Sequence, residues 1–179
     1  MITHQRTDNN SYHIDRKNNI FDVIRSRITS KELGSTVIVP YACYNDTFSE
    51  NGFNGLLSKN YPIVKENFLM LSKQSILGKT QFIEISKDKQ YGHSLIIASM
   101  ICQKNKNKHS RSINYAALCY CMTAISNKCQ ELKKNSETHK IEIHCPKFGT
   151  GFAGGDWKFI SFLIDDLWSS IDTYVYFNK

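Results

Sequence analysis

Apolar residues recur along this chain in two rhythms. Thr36-Val-Ile-Val-Pro-Tyr-Ala42 is a nearly continuous apolar run, the pattern of a strand covered on both faces of a sheet. Pro40 lacks an amide hydrogen, so pairing is expected to end or bulge near it. Gln81 to Ile85 and Ser94 to Ile101 read as two strands joined by the charged turn Lys87-Asp88-Lys89, an antiparallel hairpin. Ile141-Glu142-Ile143 and Thr173 to Phe177 predict a late strand and a terminal one. Ser11 to Asp15 and Ile20 to Val23 read as a first strand with a turn at Asn18-Asn19, followed by a loop or short helix over Arg25 to Gly34. Helical spacing appears at Gly55 to Lys59, then after Pro62, with Val64, Phe68, Leu69 and Leu71 on the apolar side. It returns from Asn114 to Lys134, with Leu118, Met122, Ile125 and Cys129 on one stripe. A last helix after Trp157 carries Phe159, Phe162, Leu163 and Leu167, with Asp166 among them. Strands alternating with helices predict one three-layer α/β/α domain with a mixed central sheet over residues 11–179, preceded by a polar arm at residues 1–10. There is no internal repeat and no interdomain linker.

The stretch between the last two elements carries the candidate chemistry. A strand over Ile141 to Ile143 leads into Pro146-Lys-Phe-Gly-Thr-Gly-Phe-Ala-Gly-Gly-Asp-Trp157, with glycines at 149, 151, 154 and 155. Glycines admit positive φ and close backbone approach, and a helix N-terminus presents unpaired N–H groups, so this turn is expected to cradle phosphate. Asp156 is placed as the helix N-cap, and Trp157 reads as packing. Gly149-x-Gly151-x-x-Gly154 also matches the dinucleotide fingerprint, which makes a Rossmann domain the first rival. That fingerprint belongs to a first βα turn with further βα units behind it, whereas here only one helix and one strand follow. A second strand-loop-helix element, Cys43 to Gly55, is polar and glycine-containing, and facing the first it would close a two-sided crevice at the strands' carboxyl ends.

Composition narrows the partner classes. The 179 residues are 41% hydrophobic and 22% charged, ordinary globular usage, with a formal charge of +7 that favours an anionic partner. The densest basic run is Lys104-Asn-Lys106-Asn-Lys108-His109-Ser-Arg111, which reads as a solvated loop. The six cysteines (43, 102, 119, 121, 129, 145) form no CxxC and no His/Cys metal spacing, so neither a metal nor a cofactor is expected. No apolar run has the length of a membrane span and the N-terminus lacks a signal peptide's apolar centre, so the expectation is a cytoplasmic monomer with no membrane partner. His144 lies in a strand pattern, where a satisfied core histidine is the commoner outcome.

With both loops located, the chain resembles the macrodomain family of ADP-ribose-binding domains from Asn18 to Phe177. The motifs that carry the resemblance are Asn18-Asn19-Ile-Phe-Asp22, Cys43-Tyr-Asn45, Asn51-Gly52-Phe-Asn-Gly55, Lys59-Asn-Tyr-Pro62, Leu77-Gly-Lys-Thr-Gln81, Asn114-Tyr-Ala-Ala-Leu118 and the glycine loop with its Gly-Gly-Asp-Trp157 ending. It is most similar to the small bacterial and phage branch that includes ADP-ribosyl-glutamate and DNA-ADP-ribose hydrolases. A phage origin would place the protein in the host cytoplasm.

The resemblance implies a site. Phe148, Gly149, Thr150, Gly151, Phe152, Ala153 and Gly154 would wrap the diphosphate and distal ribose, with N–H donors from Thr150, Gly151 and Phe152. Asn45, Gly52 and Phe53 would close over the ribose from the other side. Adenine would sit near Asn19, Ile20 and Phe177. Many relatives carry Asp where this chain has Asn19, and a neutral amide is the weaker acceptor. The hydrolases' Lys and Asp correspond to Gln103 and Ala153, which removes a covalent lysine route and its acid/base partner. Asn45, Asp46 and Asp156 remain as candidate catalytic residues for removing a group from the distal ribose, as an ADP-ribosyl hydrolase or an ADP-ribose-1''-phosphate phosphatase does. ADP-ribosylated protein or DNA would then be the partner. A non-catalytic reader or sequestering protein is the alternative, and a nucleic-acid-binding protein a third.

Overall fold

The computed structural model describes residues 11–32, 34–71, 76–88, 90–104, 110–134 and 139–177. The arm at 1–10 and most of the basic run, at 105–109, lie outside them. In chain order the elements are β1 (His13–Asp15), α1 (Ile20–Ile28), β2 (Ser35–Tyr44), α2 (Gly52–Asn60), α3 (Ile63–Leu71), β3 (Thr80–Lys87), β4 (Ser94–Gln103), α4 (Tyr115–Lys134), β5 (Lys140–Pro146), α5 (Trp157–Trp168) and β6 (Asp172–Tyr176). The strands form one sheet in the order β1-β6-β5-β2-β4-β3. Only the β3–β4 pair is antiparallel, so five strands end on the same edge.

Period-two alternation in the central strands feeds two cores. Val37, Val39, Tyr41 and Cys43 face α1, α2 and α3 together with Leu95, Ile97 and Ile101. Ile38 and Ala42, with Ile96, Ala98, Met100 and Cys102, face α4 and α5. The α4 stripe is buried as expected, and each fully buried side chain such as Leu118 or Met122 contributes roughly 1.5–3 kcal/mol. Helices on both faces of a mixed sheet make the three-layer α/β/α sandwich.

Three details depart from the sequence reading. Ile20 to Val23 is helix, not strand: Asn19 caps α1 by accepting from the Phe21 N–H at 2.9 Å, and Ile20, Val23 and Ile24 bury one face against the sheet. In α3, Val64 and Phe68 are buried while Leu69 is exposed. In α5 the buried stripe is Ile160, Ile164 and Trp168, and Phe159 and Phe162 face outward. Trp168 fixes that rotation, because its indole N–H reaches the Met122 carbonyl at 3.0 Å.

Pro40 acts on one side only. The ladder from β2 to β4 runs through Pro40 opposite Ala98, whereas the ladder to β5 ends at Ile38 opposite Ile143. The ring nitrogen offers no hydrogen to extend the second ladder. Beyond that point β2 and β5 continue without pairing.

At the opposite edge, buried polar groups bind one another. His93 Nε2–H donates to the Ser30 carbonyl (2.9 Å), so Nδ1 is the acceptor for the Ser35 N–H (3.1 Å). Thr36 Oγ1 meets Ser94 Oγ at 2.7 Å and His139 Nε2 at 2.8 Å. Glu142 is fully buried, with Lys140 Nζ at 2.7 Å, Arg27 Nε at 3.3 Å and His144 Nε2 at 3.4 Å. Burial alone would raise its carboxyl, but hydrogen bonds from His144 and Lys140 and the charges of His144 and Arg27 outweigh it and hold the pKa at about 2. His144 is itself fully buried, with Nδ1 2.8 Å from the Tyr176 hydroxyl, the core histidine its strand position implied.

Candidate functional site

Where β2 and β5 part, a crevice of about 180 Å³ opens between the two loops. One wall comes from the end of β2 and the start of α2, namely Tyr44, Ser49, Asn51, Gly52, Phe53 and Asn54. The other comes from Pro146 to Gly149 and from Gly151, Phe152 and Ala153. Tyr41, Ala42 and Gln103 form the floor. Ligand pockets usually span about 300–1,000 Å³, so this space suits part of a dinucleotide-sized molecule rather than the whole.

The glycine loop is held by its own backbone and by the segment before α4. Gly155 N–H donates to the Gly149 carbonyl (2.8 Å) and Gly154 N–H to the Gly151 carbonyl (3.0 Å). The Ala153 carbonyl accepts from the N–H groups of Ser112 and Ile113 at 3.1 and 3.2 Å. Gly149 has φ of 76°, and a Cβ on Gly155 would lie 2.5 Å from the Gly149 oxygen, so both positions require glycine. Gly151, by contrast, has open space around it. Among the described residues the N–H groups of Thr150, Gly151 and Phe152 make no hydrogen bond within the chain. Three adjacent N–H groups without a partner among the described residues thus stand in the loop that forms one wall of the crevice. Phe152 at the tip is 99% exposed.

The other loop is ordered differently. Asn45 N–H is tied to the Gln103 carbonyl at 3.0 Å, and Asn54 Nδ2 donates to the Ala42 carbonyl at 3.3 Å. Gly52 begins α2 with φ of 57°. Phe53 stacks on Phe21 of α1 at 5.6 Å, which links this wall to the Asn19 cap.

Of the residues singled out in the sequence, Gly52, Phe53, Phe148, Gly149, Gly151, Phe152 and Ala153 line the crevice. Thr150 and Gly154 lie within its loop without touching the wall. Asn45 and Asp46 lie in the facing loop, also off the wall. Asp156 caps α5 by accepting from the Lys158 N–H at 2.9 Å, while its own N–H donates to the Tyr115 hydroxyl at 2.7 Å. Asn19 has one lone pair engaged in its cap, Ile20 is buried, and Phe177 packs edge-on against Trp157 at 5.3 Å. These last three are not on the crevice wall. The wall adds Tyr44, Ser49, Asn51, Asn54, Lys147 and the floor residue Gln103 to the sequence's candidates. Asn51 and Asn54 belong to the motif around Gly52, which was the available signal. The described wall carries no carboxylate and no imidazole. Burial raises the Tyr41 phenol far above its ordinary value, which keeps it protonated against Ser99 Oγ at 2.9 Å.

Comparison with solved structures gives this geometry a context. A protein of unknown function from Bacteroides thetaiotaomicron superposes with a TM-score of 0.67 at 22% identity, covering 95% of this chain and all of its own. A macrodomain protein from Streptomyces coelicolor gives 0.62 at 20% identity over 86% of this chain and 95% of its own. The fold is that of the macrodomain. Thermosipho africanus DarTG, solved in complex with ADP-ribose, superposes at 0.63 and 12% identity; it covers 99% of this chain, which matches 43% of its length. No protein-family model matches the sequence, and no curated protein does. Among the described residues of this macrodomain fold, no cluster of three or more potential metal ligands occurs and no helix is long and apolar enough to cross a membrane.

Proposed function

We propose that the chain binds ADP-ribose or a nucleotide containing it, with the diphosphate and distal ribose in the crevice, and acts as a reader rather than a hydrolase. The observation that carries this is the row of free N–H groups at Thr150, Gly151 and Phe152 beside a ribose-sized space between two loops. Backbone donors in a glycine turn suit diphosphate oxygens, and Lys147 is the cation on the described wall. The fold shared with a protein solved with ADP-ribose supports the same reading. Adenine is assigned to Asn19, Ile20 and Phe177, beyond the described crevice.

The reader assignment follows from the wall. General acid/base removal of a ribose substituent needs a group that donates or takes a proton within hydrogen-bond reach. Gln103 and Ala153 supply none, and Asp156 is engaged in its helix cap. Hydrolysis would depend on Asn45, Asp46 or Asp156 turning inward.

Isothermal titration with ADP-ribose tests the binding, with one site per chain expected and weaker binding of AMP. No heat at millimolar ligand from a folded sample would overturn it. Incubation with ADP-ribose-1''-phosphate, ADP-ribosylated protein and ADP-ribosylated DNA tests the reader assignment. Recovery of each intact is expected, and turnover of any one, lost in Asp46→Asn or Asp156→Asn, would restore the hydrolase reading.

A further inference from the structure

The cations at the carboxyl edge of the sheet differ from many of those elsewhere. Arg25, Arg27, Lys65, Lys128 and Lys140 each pair with a carboxylate. Arg16 and Lys17 after β1, Lys104 after β4, Lys147 after β5, Arg111 before α4 and Lys158 in the first turn of α5 are all exposed. Among the described residues none of these six forms an ion pair. Three of them lie over aromatic rings instead. The Arg16 guanidinium is 4.7 Å from the Phe177 centroid and that of Arg111 is 4.0 Å from Tyr115. Lys147 Nζ lies 5.1 Å from Phe177 and 5.5 Å from Trp157.

These contacts join into a rim. Trp157 meets Phe177 on one flank of the glycine loop, and Tyr115 meets Phe159 at 4.3 Å on the other. The Tyr115 hydroxyl bonded to Asp156 N–H connects the flanks, and Phe152 stands fully exposed at the loop tip between them. Although sequence shows no basic motif interleaved with aromatics, the fold assembles one from five separate segments. Cations spaced along an edge follow a phosphate chain, and the exposed rings of Phe152 and Phe159 offer faces to unstacked bases, while the Phe177, Trp157 and Tyr115 rings seat the cations. A protein carboxylate surface would match the charge but leave the rings unused, and duplex DNA hides its base faces.

We infer that this rim binds a single-stranded nucleic acid, whose phosphates lie along Arg16, Lys17, Lys104, Arg111, Lys147 and Lys158 and whose bases stack on Phe152 and Phe159. The rim surrounds the crevice and shares Lys147 and Phe152 with its wall.

Fluorescence anisotropy of a labelled single strand of about 20 nucleotides, titrated with the full chain from about 50 to 300 mM salt, tests this. With four to six phosphates engaged, log affinity is expected to fall with log salt at a slope of about −3 to −4. Lys17→Glu/Lys104→Glu/Lys158→Glu is expected to weaken binding at least about tenfold and to flatten that slope. The control, Lys31→Glu/Lys87→Glu/Lys134→Glu, removes the same charge at the other edge, where these lysines are also unpaired among the described residues, and should lose far less. Phe152→Ala is expected to weaken the single strand and leave duplex binding unchanged. No binding at the lowest salt, equal losses from the two triple variants, or a duplex of the same sequence binding more tightly would each overturn the inference, with folding of every variant checked by its melting curve.

Discussion

At the amino ends of β2, β4 and β5 the polar side chains turn inward to one another, as in the His93–Ser35 and Thr36–His139 bonds and the Glu142 cluster. At the carboxyl ends of the same strands, backbone donors and cations face outward. The two edges are the opposite ends of the same strands and are joined by the same core. What separates them is whether a polar group's partner comes from within the chain. Satisfied groups lock the layers together, and unsatisfied ones wait for a ligand. Stability and recognition should therefore respond to different substitutions.

The sharpest separation is expected at Glu142. Glu142→Ala leaves Arg27, Lys140 and His144 without their shared carboxylate and should cost about 3 kcal/mol, discounted for the partly exposed cations. That lowers the melting temperature by roughly 6–12 °C. ADP-ribose affinity should be unchanged in the same variant, and a parallel loss of affinity would show that the two edges are not separate. Acid should act in the same way. The Glu142 pKa is depressed in the fold to about 2, so its contribution is complete above the ordinary glutamate range near 4.5 and is lost as pH falls from there through about 2. Denaturant midpoints measured from pH 6 to pH 2 would report this, and Glu142→Gln should flatten the decline.

The converse is expected at Gly155. Gly155→Val drives a side chain against the Gly149 carbonyl and deforms the loop, so affinity for ADP-ribose should drop about a hundredfold, about 2.7 kcal/mol, with a smaller change in melting temperature. Calorimetric titration of folded protein is the measurement. A smaller effect is expected at Asp156, where Asp156→Ala removes the α5 cap and costs about 1 kcal/mol, while Asp156→Asn keeps it. The mildest concerns His139. Burial, with His93 nearby, lowers its pKa, so its contribution is complete above the ordinary histidine value and declines as pH drops below about 6.5. His139→Gln should remove that shallow slope in melting temperature between pH 7 and pH 5.

Much of this architecture is legible in the sequence, for reasons that also mark the limit. The central strands and α4 stand out because one periodicity admits only one buried face. The first helix was hidden because Ile20, Val23 and Ile24 are β-branched and follow an Asn-Asn pair that reads equally as a turn. Only the packing of α1 against the sheet decides between the two. Helix α5 carries two apolar stripes, and sequence favoured the phenylalanines. The reach of the Trp168 indole to Met122, a long-range bond, selects the other stripe. The glycine loop stands out in the sequence by its four glycines, of which Gly149 and Gly155 are required by the loop's own backbone. That Asn51 and Asn54 reach the crevice while Asn45 does not depends on where α2 begins, which neighbouring asparagines in one polar loop do not reveal.

Pro40 bears on how such a domain would respond to selection for toughness. The crevice occupies ground that a further stretch of β2–β5 pairing would fill, and one imino acid keeps that pairing from propagating. Replacing Pro40 with valine restores a donor in the middle of the sheet, so a variant chosen for heat resistance could gain durability by zipping the two strands closed. Openness at this position is thus a standing concession of robustness, renewed for as long as the crevice is in use.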